Sequence, residues 1–265
     1  MLIVAERVNA SRKAIRAALE KLDDAAIANE VRIQVAAGAH YIDVNGGTFP
    51  GREAELLCWL VDIAQGETQL PLCLDSPDPQ ALVAALPRIK GERPMINSIN
   101  LETERFEKIL PLARQYNAKL IALAQGEGVP AATAAEKLDL ASRLVERLTG
   151  AGMELDDIYV DPLVFPVGTD SSSALATVTA MREIMARFPG VHTICGLTNV
   201  SHGLPARKLV NRTFLAGAIA NGMDAAIIDP TDPLLMATLF AAEAVFGRDE
   251  YCVNLIEAFQ DGRLS

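Results

Sequence analysis

The chain has 265 residues, half of them hydrophobic, and a formal net charge of −10. That length suits one (β/α)8 barrel, which typically takes about 250 residues, or two smaller domains. The acidic balance excludes a general nucleic-acid surface, where Lys and Arg must outnumber acids to neutralise phosphates, and it disfavours an anionic membrane surface. Cys58, Cys73, Cys195 and Cys252 lie far apart with no nearby histidine pattern, so no metal site is expected. They read as small apolar packers in a reducing cytoplasm. Met1–Ala5 runs straight into Glu6-Arg7, unlike a secretory leader. No apolar run reaches the length of a membrane span.

In chain order, the first strand is Leu2-Ile3-Val4-Ala5-Glu6-Arg7-Val8-Asn9, followed by helical patterns from about 11 to 38 with Ser11 as N-cap. The second strand, His40–Asn45, leads through Gly46-Gly47 to a helix near 51–65. The third, Leu72–Ser76, precedes a helix near 79–87, and the fourth, Met95–Ser98, one near 103–115. Leu120–Gln125 is followed by a helix near 131–150. Ile158–Pro162 runs into a long loop and a helix ending near 187. The seventh strand, Ile194–Asn199, precedes a helix near 206–220. The eighth, Ala226–Pro230, precedes helices near 232–246 and 250–260.

Buried parallel strands read as continuous apolar runs, and eight alternating βα units predict a closed TIM barrel. No linker or composition break interrupts residues 1–265, so the whole chain reads as one domain. A dinucleotide-binding sheet would carry G-x-G-x-x-G after an early strand. The first turn here, Asn9-Ala10-Ser11-Arg12, has no glycine.

Nearly every strand ends on a carboxylate or an amide, on the rim where barrel chemistry sits. Asp75 and Asp161 each stand before a turn-forming residue; either could be a helix cap or Asx-turn. Together with Asn97 and Asn199 they form a set suited to a polar heterocycle. A carboxylate accepts paired N–H donors, and an amide offers a donor and an acceptor. A 2-amino-4-oxo-pyrimidine ring presents that edge. Gly196 permits close approach of a planar ring. Glu6, in an apolar strand, needs either a ligand or a basic partner such as Arg7. Asp43 and Asn45 face one way and suit a supporting network, as do Asn9, Ser98 and Asp229. Arg207 falls in the first turn of a helix, where its charge opposes the dipole; that calls for a ligand or a carboxylate. Lys208 and His202 read as exposed.

Six segments carry a family likeness: Ile3–Asn9, Leu72–Ser76, Met95–Ser98, Tyr159–Leu163, Gly196–Ser201 and Asn211–Ala216. In order and spacing the chain resembles the methyltetrahydrofolate:corrinoid protein methyltransferases. It is also similar to the folate-binding domain of cobalamin-dependent methionine synthase. The likeness implies a pterin-binding (β/α)8 barrel that pairs as a homodimer, with tetrahydrofolate or 5-methyltetrahydrofolate as substrate. It implies that Asp75, Asn97 and Asp161 hold the pterin edge and that Asn199 hydrogen-bonds N5. Glu6, Gly196 and Arg207 would complete the wall; the N5 proton is expected from solvent, relayed by water and Asp161 or Asp43. Ala5 and Ala10 replace glycines frequent in the family, which alters the first loop. The Asp-x-His-x-x-Gly signature of corrinoid domains is missing, so the corrinoid (cobalamin) is expected on a separate protein that docks at the barrel mouth. A dihydropteroate synthase would want an early Asn-x-Thr-x-Asp-Ser-Phe-Ser loop and a late Ser-Arg-Lys segment, and the sequence has neither. A folate-binding subunit without turnover is the remaining alternative.

Overall fold

The computed structural model describes residues 1–47 and 49–264. Its strands are β1 (Leu2–Asn9), β2 (Tyr41–Asn45), β3 (Leu72–Asp75), β4 (Met95–Ile99), β5 (Lys119–Leu123), β6 (Ile158–Asp161), β7 (His192–Thr193) and β8 (Ala225–Ile228). All pair in parallel with their sequence neighbours, and β1 pairs with β8. The β7–β8 seam is closed by backbone bonds, Ile227 N–H to the Cys195 carbonyl (3.0 Å) and Asp224 N–H to that of Thr193 (3.4 Å). A bridge between Gly196 and Ile227 completes the TIM barrel.

The helices are α1 (Lys13–Lys21), α2 (Asp24–Ala36), α3 (Glu53–Glu67), α4 (Pro79–Ala85), α5 (Thr103–Gln115), α6 (Ala134–Gly150), α7 (Ser173–Arg187), α8 (Arg207–Ala220), α9 (Pro233–Val245) and α10 (Val253–Gln260). Local chemistry starts several of them. Asp23, Asp78 and Asp232 accept backbone N–H bonds at the N-termini of α2, α4 and α9, and Thr133 with Glu136 forms a capping box on α6. No helix among the described residues is long and apolar enough to cross a membrane.

Two local expectations, the Ser11 cap and the seventh strand, are corrected. The helical stretch of 11–38 is two helices, divided where Leu22 turns left-handed (φ 51°) and Asp23 caps the next. Ser11 caps neither; its N–H and hydroxyl both bond Asn9 Oδ1, at 2.9 and 2.7 Å. The seventh strand stops at Thr193, and Leu197–Ser201 coils into a 3-10 turn. Asn199 is therefore presented by that turn rather than by a strand.

Side chains alternate across a strand with a period of two, which stacks the barrel interior in layers. One set is apolar, Val4, Tyr41, Cys73, Met95, Ile121, Tyr159 and Ala225 from seven strands and Ile194 from just beyond β7. Below it, at the base, His192 stacks on Tyr159 with ring centroids 4.5 Å apart. His192 Nδ1 lies 2.7 Å from Asp224, and Nε2 lies 3.2 Å from Asp156. The Asp224 contact raises the His192 pKa; burial opposes it and Asp156 adds to it.

A raised histidine pKa contributes stability that is present below the unfolded value, about 6.5, and lost as pH rises through the folded value. In urea titrations from pH 5.5 to 9, wild type should exceed His192→Gln in stability at the acidic end, and the gap should close towards pH 9. A gap that does not change with pH would show that the Asp224 contact leaves the imidazole untouched.

Candidate active site

Two residues further along each strand, the inward layer changes character. Val4 is followed by Glu6, Tyr41 by Asp43, Cys73 by Asp75 and Met95 by Asn97. Ile121 is followed by Leu123, Tyr159 by Asp161, Ile194 by Gly196 and Ala225 by Ile227. All eight line one cavity of about 1070 Å³ at the C-terminal mouth. Asn9, Ser98, Asn199, Arg207 and Asp229 line it as well. Of the residues singled out in the sequence, Asn45 alone is not part of this lining. It stands behind: Nδ2 donates to Asp75 Oδ2 at 2.7 Å, and Oδ1 accepts the Gly47 N–H at 2.9 Å.

The four carboxyl groups of this layer are held in a desolvated place, which disfavours the ionised form. Burial, then the charge of Asp229, pushes Glu6 up to about 7, against the pull of Arg12 and Arg207. Burial pushes Asp75 to about 6, opposed by the Asn45 amide and by Arg105. Asp161 also rises to about 6 through burial, although the Leu163 N–H, Lys137 and the Gly196 backbone oppose the shift. Asp43 goes well above the usual carboxylate range, through burial and then the neighbouring charge of Asp75. Its Oδ1 is buried without a hydrogen-bond partner.

Outside the collar, the acids behave differently. Burial favours a neutral Asp229, but the Thr231 hydroxyl and Arg7 outweigh it and hold that carboxyl below its ordinary value. Arg7 reaches Asp229 at 2.9 Å and also pairs with Glu30. It does not pair with Glu6, because adjacent strand residues face opposite sides.

Arg207 has a different partner from the one its sequence position suggested. Among the described residues no carboxylate pairs with it. Its Nε donates to Ser201 Oγ (3.1 Å) and its Nη2 to the Thr198 carbonyl (3.0 Å), bracing both sides of Asn199. Gly196 belongs to the same turn. A Cβ there would stand 3.2 Å from Asn199 Nδ2, so glycine leaves the amide its place.

Two cations were not singled out in the sequence. Arg105 on α5 donates to the carbonyls of Ser76, Pro77 and Ser98, at 2.9, 2.7 and 2.8 Å, tying the β3 and β4 rims together. Lys137 on α6 is fully buried. Its Nζ donates to the carbonyls of Pro162 (2.9 Å) and Leu163 (2.6 Å). Leu163 is left-handed (φ 59°), and its N–H donates to Asp161 Oδ1 at 2.7 Å. That peptide is thus held between an ammonium and a carboxyl. Helical spacing did carry a signal, since Lys137 shares a stripe with Ala141, Leu144 and Leu148.

The mouth of this closed barrel gathers carboxyls from β1, β2, β3 and β6, an amide from β4 and another from the turn after β7, a set of donors and acceptors that suits a hydrogen-bonding heterocycle. The chain belongs to the pterin binding enzyme family, whose pattern matches residues 5–229. It is 36% identical over 270 residues to methylcorrinoid:tetrahydrofolate methyltransferase of Eubacterium limosum, covering 100% of this chain and 98% of that protein. It is 33% identical over 251 residues to methionine synthase of Mycobacterium tuberculosis, covering 89% of this chain and 21% of that protein. Among solved structures, dihydropteroate synthase of Xanthomonas albilineans in complex with 7,8-dihydropteroate superposes with a TM-score of 0.69 at 18% identity, over 94% of this chain and 93% of that one. The likeness to the synthase is one of fold.

Lys137→Met keeps the apolar stem but strands the buried Pro162 carbonyl and leaves the Leu163 carbonyl with the Thr177 hydroxyl at 3.2 Å. An unsatisfied buried acceptor costs about 1–3 kcal/mol. The variant should unfold at lower urea concentration by that order, as read from far-UV circular dichroism. An unchanged midpoint would mean that the clamp on Leu163 carries no stability.

Proposed function

We propose that this protein is a methyltransferase that moves a methyl group between N5 of tetrahydrofolate and the cobalt of a corrinoid carried by a separate protein. The observation that carries the reading is the full-length relationship to a protein of that activity. The collar of Asp75, Asn97, Asp161 and Asn199 around one cavity supports it. The residue types fit a reduced pterin. Asp75, Asn97 and Asp161 supply acceptors and an amide for the N–H-rich pyrimidine edge. Gly196 lets the flat ring lie close. Asn199 hydrogen-bonds N5, and Glu6 and Arg207 complete the wall. Ser98, Asn9, Asp43, Asn45 and Asp229 support the collar.

The corrinoid is a second substrate in this scheme. Its partner protein approaches the open mouth, because the chain has no corrinoid signature of its own. We read the protein as cytoplasmic, in keeping with its four free cysteines. We also read it as a homodimer, for which exposed apolar residues on α9 and α10, such as Val245, Ile256 and Phe259, offer surface.

Methyl transfer from N5 is a displacement at carbon in which the nitrogen must gain positive character. An amide at Asn199 holds N5 more tightly as that charge changes, which is differential binding of the transition state. Asn199→Ala should slow single-turnover transfer to cob(I)alamin about 10²–10³-fold, with the folate dissociation constant little changed. An unaltered rate would remove Asn199 from the chemistry.

Asp75 makes a different prediction. In the free protein it is raised to about 6, and paired N–H donors from the ring favour its ionised form. Methyltetrahydrofolate should therefore bind more tightly as pH rises from 5 to 7, with proton release measurable by calorimetry in buffers of different ionisation heat. Asp75→Ala should weaken binding by about 1.5–3 kcal/mol, the range for hydrogen bonds to charged groups. A normal folate affinity in that variant would refute the assignment.

A further inference from the structure

We propose that the Glu6 carboxyl delivers the proton to N5 during methyl transfer and takes it back in reverse, a role that rests on the methyl-transfer reading above. Glu6 stands in the inward polar layer on β1 and lines the cavity. Among the described residues no hydrogen bond or ion pair engages its carboxyl. The other acids of the mouth are differently placed. Asp75 is held by Asn45, Asp161 by the Leu163 N–H, and Asp229 by Arg7 and Thr231. Asp43 is engaged by the Cys73 thiol and the Asn97 amide and is enclosed beside Asp75, with one oxygen sealed from solvent.

Position also favours Glu6. β1 lies next to β8, and β8 meets Gly196, the residue that begins the Asn199 turn. Glu6 therefore borders the sector that presents Asn199. Arg207, which braces that turn, is among the charges it feels. The groups facing Glu6 are Asp229 beyond β8, Arg12 beyond β1, Arg207 on α8, Asp43 on β2 and Cys195 beyond β7. Burial and Asp229 favour the neutral acid, while the two arginines limit the rise, leaving a group that ionises near 7. A proton carrier works best when its pKa lies near the working pH.

The step balances as follows. The cobalt(I) electron pair forms the new bond to the methyl carbon, giving methylcobalt(III). The carbon–nitrogen pair stays on N5, which takes the proton of the Glu6 acid, leaving tetrahydrofolate and a Glu6 carboxylate. In reverse, N5 attacks the methyl carbon, the cobalt–carbon pair returns to cobalt, and the carboxylate accepts the N5 proton.

One group then gives opposite pH limbs. Transfer from methyltetrahydrofolate to free cob(I)alamin needs the acid, so the single-turnover rate should rise as pH falls through about 7. Transfer from methylcob(III)alamin to tetrahydrofolate needs the carboxylate and should rise with pH through the same point. Glu6→Gln should remove both inflections and slow transfer about 10²-fold or more, while methyltetrahydrofolate still binds. Glu6→Asp keeps an acid and should retain an inflection. Infrared difference spectra of the unliganded protein should show a carboxylic acid band that titrates near pH 7 and is missing from Glu6→Gln. An inflection that survives in Glu6→Gln, or a titration difference spectrum identical to that of wild type there, would overturn the role of Glu6 while leaving the methyltransferase reading intact. A wild type that binds folate and transfers no methyl group would overturn both.

Discussion

Four carboxyl groups share one desolvated layer of the barrel, and the rest of the site is organised around that cost. Strand alternation and closure force it. Once the inward residues beneath are apolar, the next inward residue on each strand points into the same mouth, and Glu6, Asp43, Asp75 and Asp161 share one cavity. Each has its pKa raised with burial as the first cause. A raised carboxyl binds more protons folded than unfolded, so this layer loses stability as pH rises from the unfolded carboxylate range towards the folded values. The apolar layer beneath and the two helix–sheet clusters outside carry that load. Under the proposed function, a ring edge rich in N–H donors favours the ionised acids and offsets that cost.

The cations of the mouth leave the collar acids free. Arg105, Lys137 and Arg207 all approach the rim, and each spends its donors on backbone carbonyls or a hydroxyl. Their charge still reaches the carboxyls through space, lowering Asp75, Asp161 and Glu6 respectively. Direct ion pairs occur one step further out, at Asp229 with Arg7 and at Asp232 with Arg212. A direct pair inside the collar would fix a carboxylate as ionised and occupy the lone pairs a substrate needs. Bracing the backbone positions the acids without consuming them.

Most of the collar is readable in the sequence because a barrel strand has a short period and a fixed direction. An apolar run that ends in Asp or Asn places that residue at the mouth whatever the details of pairing. What escapes is decided by partners distant in the chain. Nothing local to Arg105 announces carbonyls on two other rims. Nothing in Arg207 distinguishes a carboxylate partner from the Thr198 carbonyl. Asn45 shares a face with Asp43, and only the β2–β3 pairing sends its amide to Asp75 rather than into the cavity. The shortened seventh strand is a related case. Ile194–Asn199 has the apolar pattern of a strand, yet Gly196 is a bridge point and the chain coils directly after it, so that Asn199 is delivered by a turn. Lys137 was legible in principle, because a lysine on the apolar stripe of an amphipathic helix must find buried acceptors.

The two halves of the collar differ in how firmly their acids are held. On the β2–β4 side, Asp75 is fixed by Asn45, Asp43 is enclosed, and Arg105 locks the loops above them. An acid held in one geometry suits recognition, where the group must present the same lone pairs to every incoming ring. On the β7–β1 side, the wall is a glycine, an amide on a braced turn and an acid without a partner. A group that must give up and recover a proton within one turnover cannot be committed to a neighbour, since each lost hydrogen bond would add to the barrier. The same desolvation therefore yields two outcomes, a grip where the carboxyl has a partner and a proton store where it has none. The reacting nitrogen of a ring anchored by its pyrimidine edge on the first side would be turned towards the second.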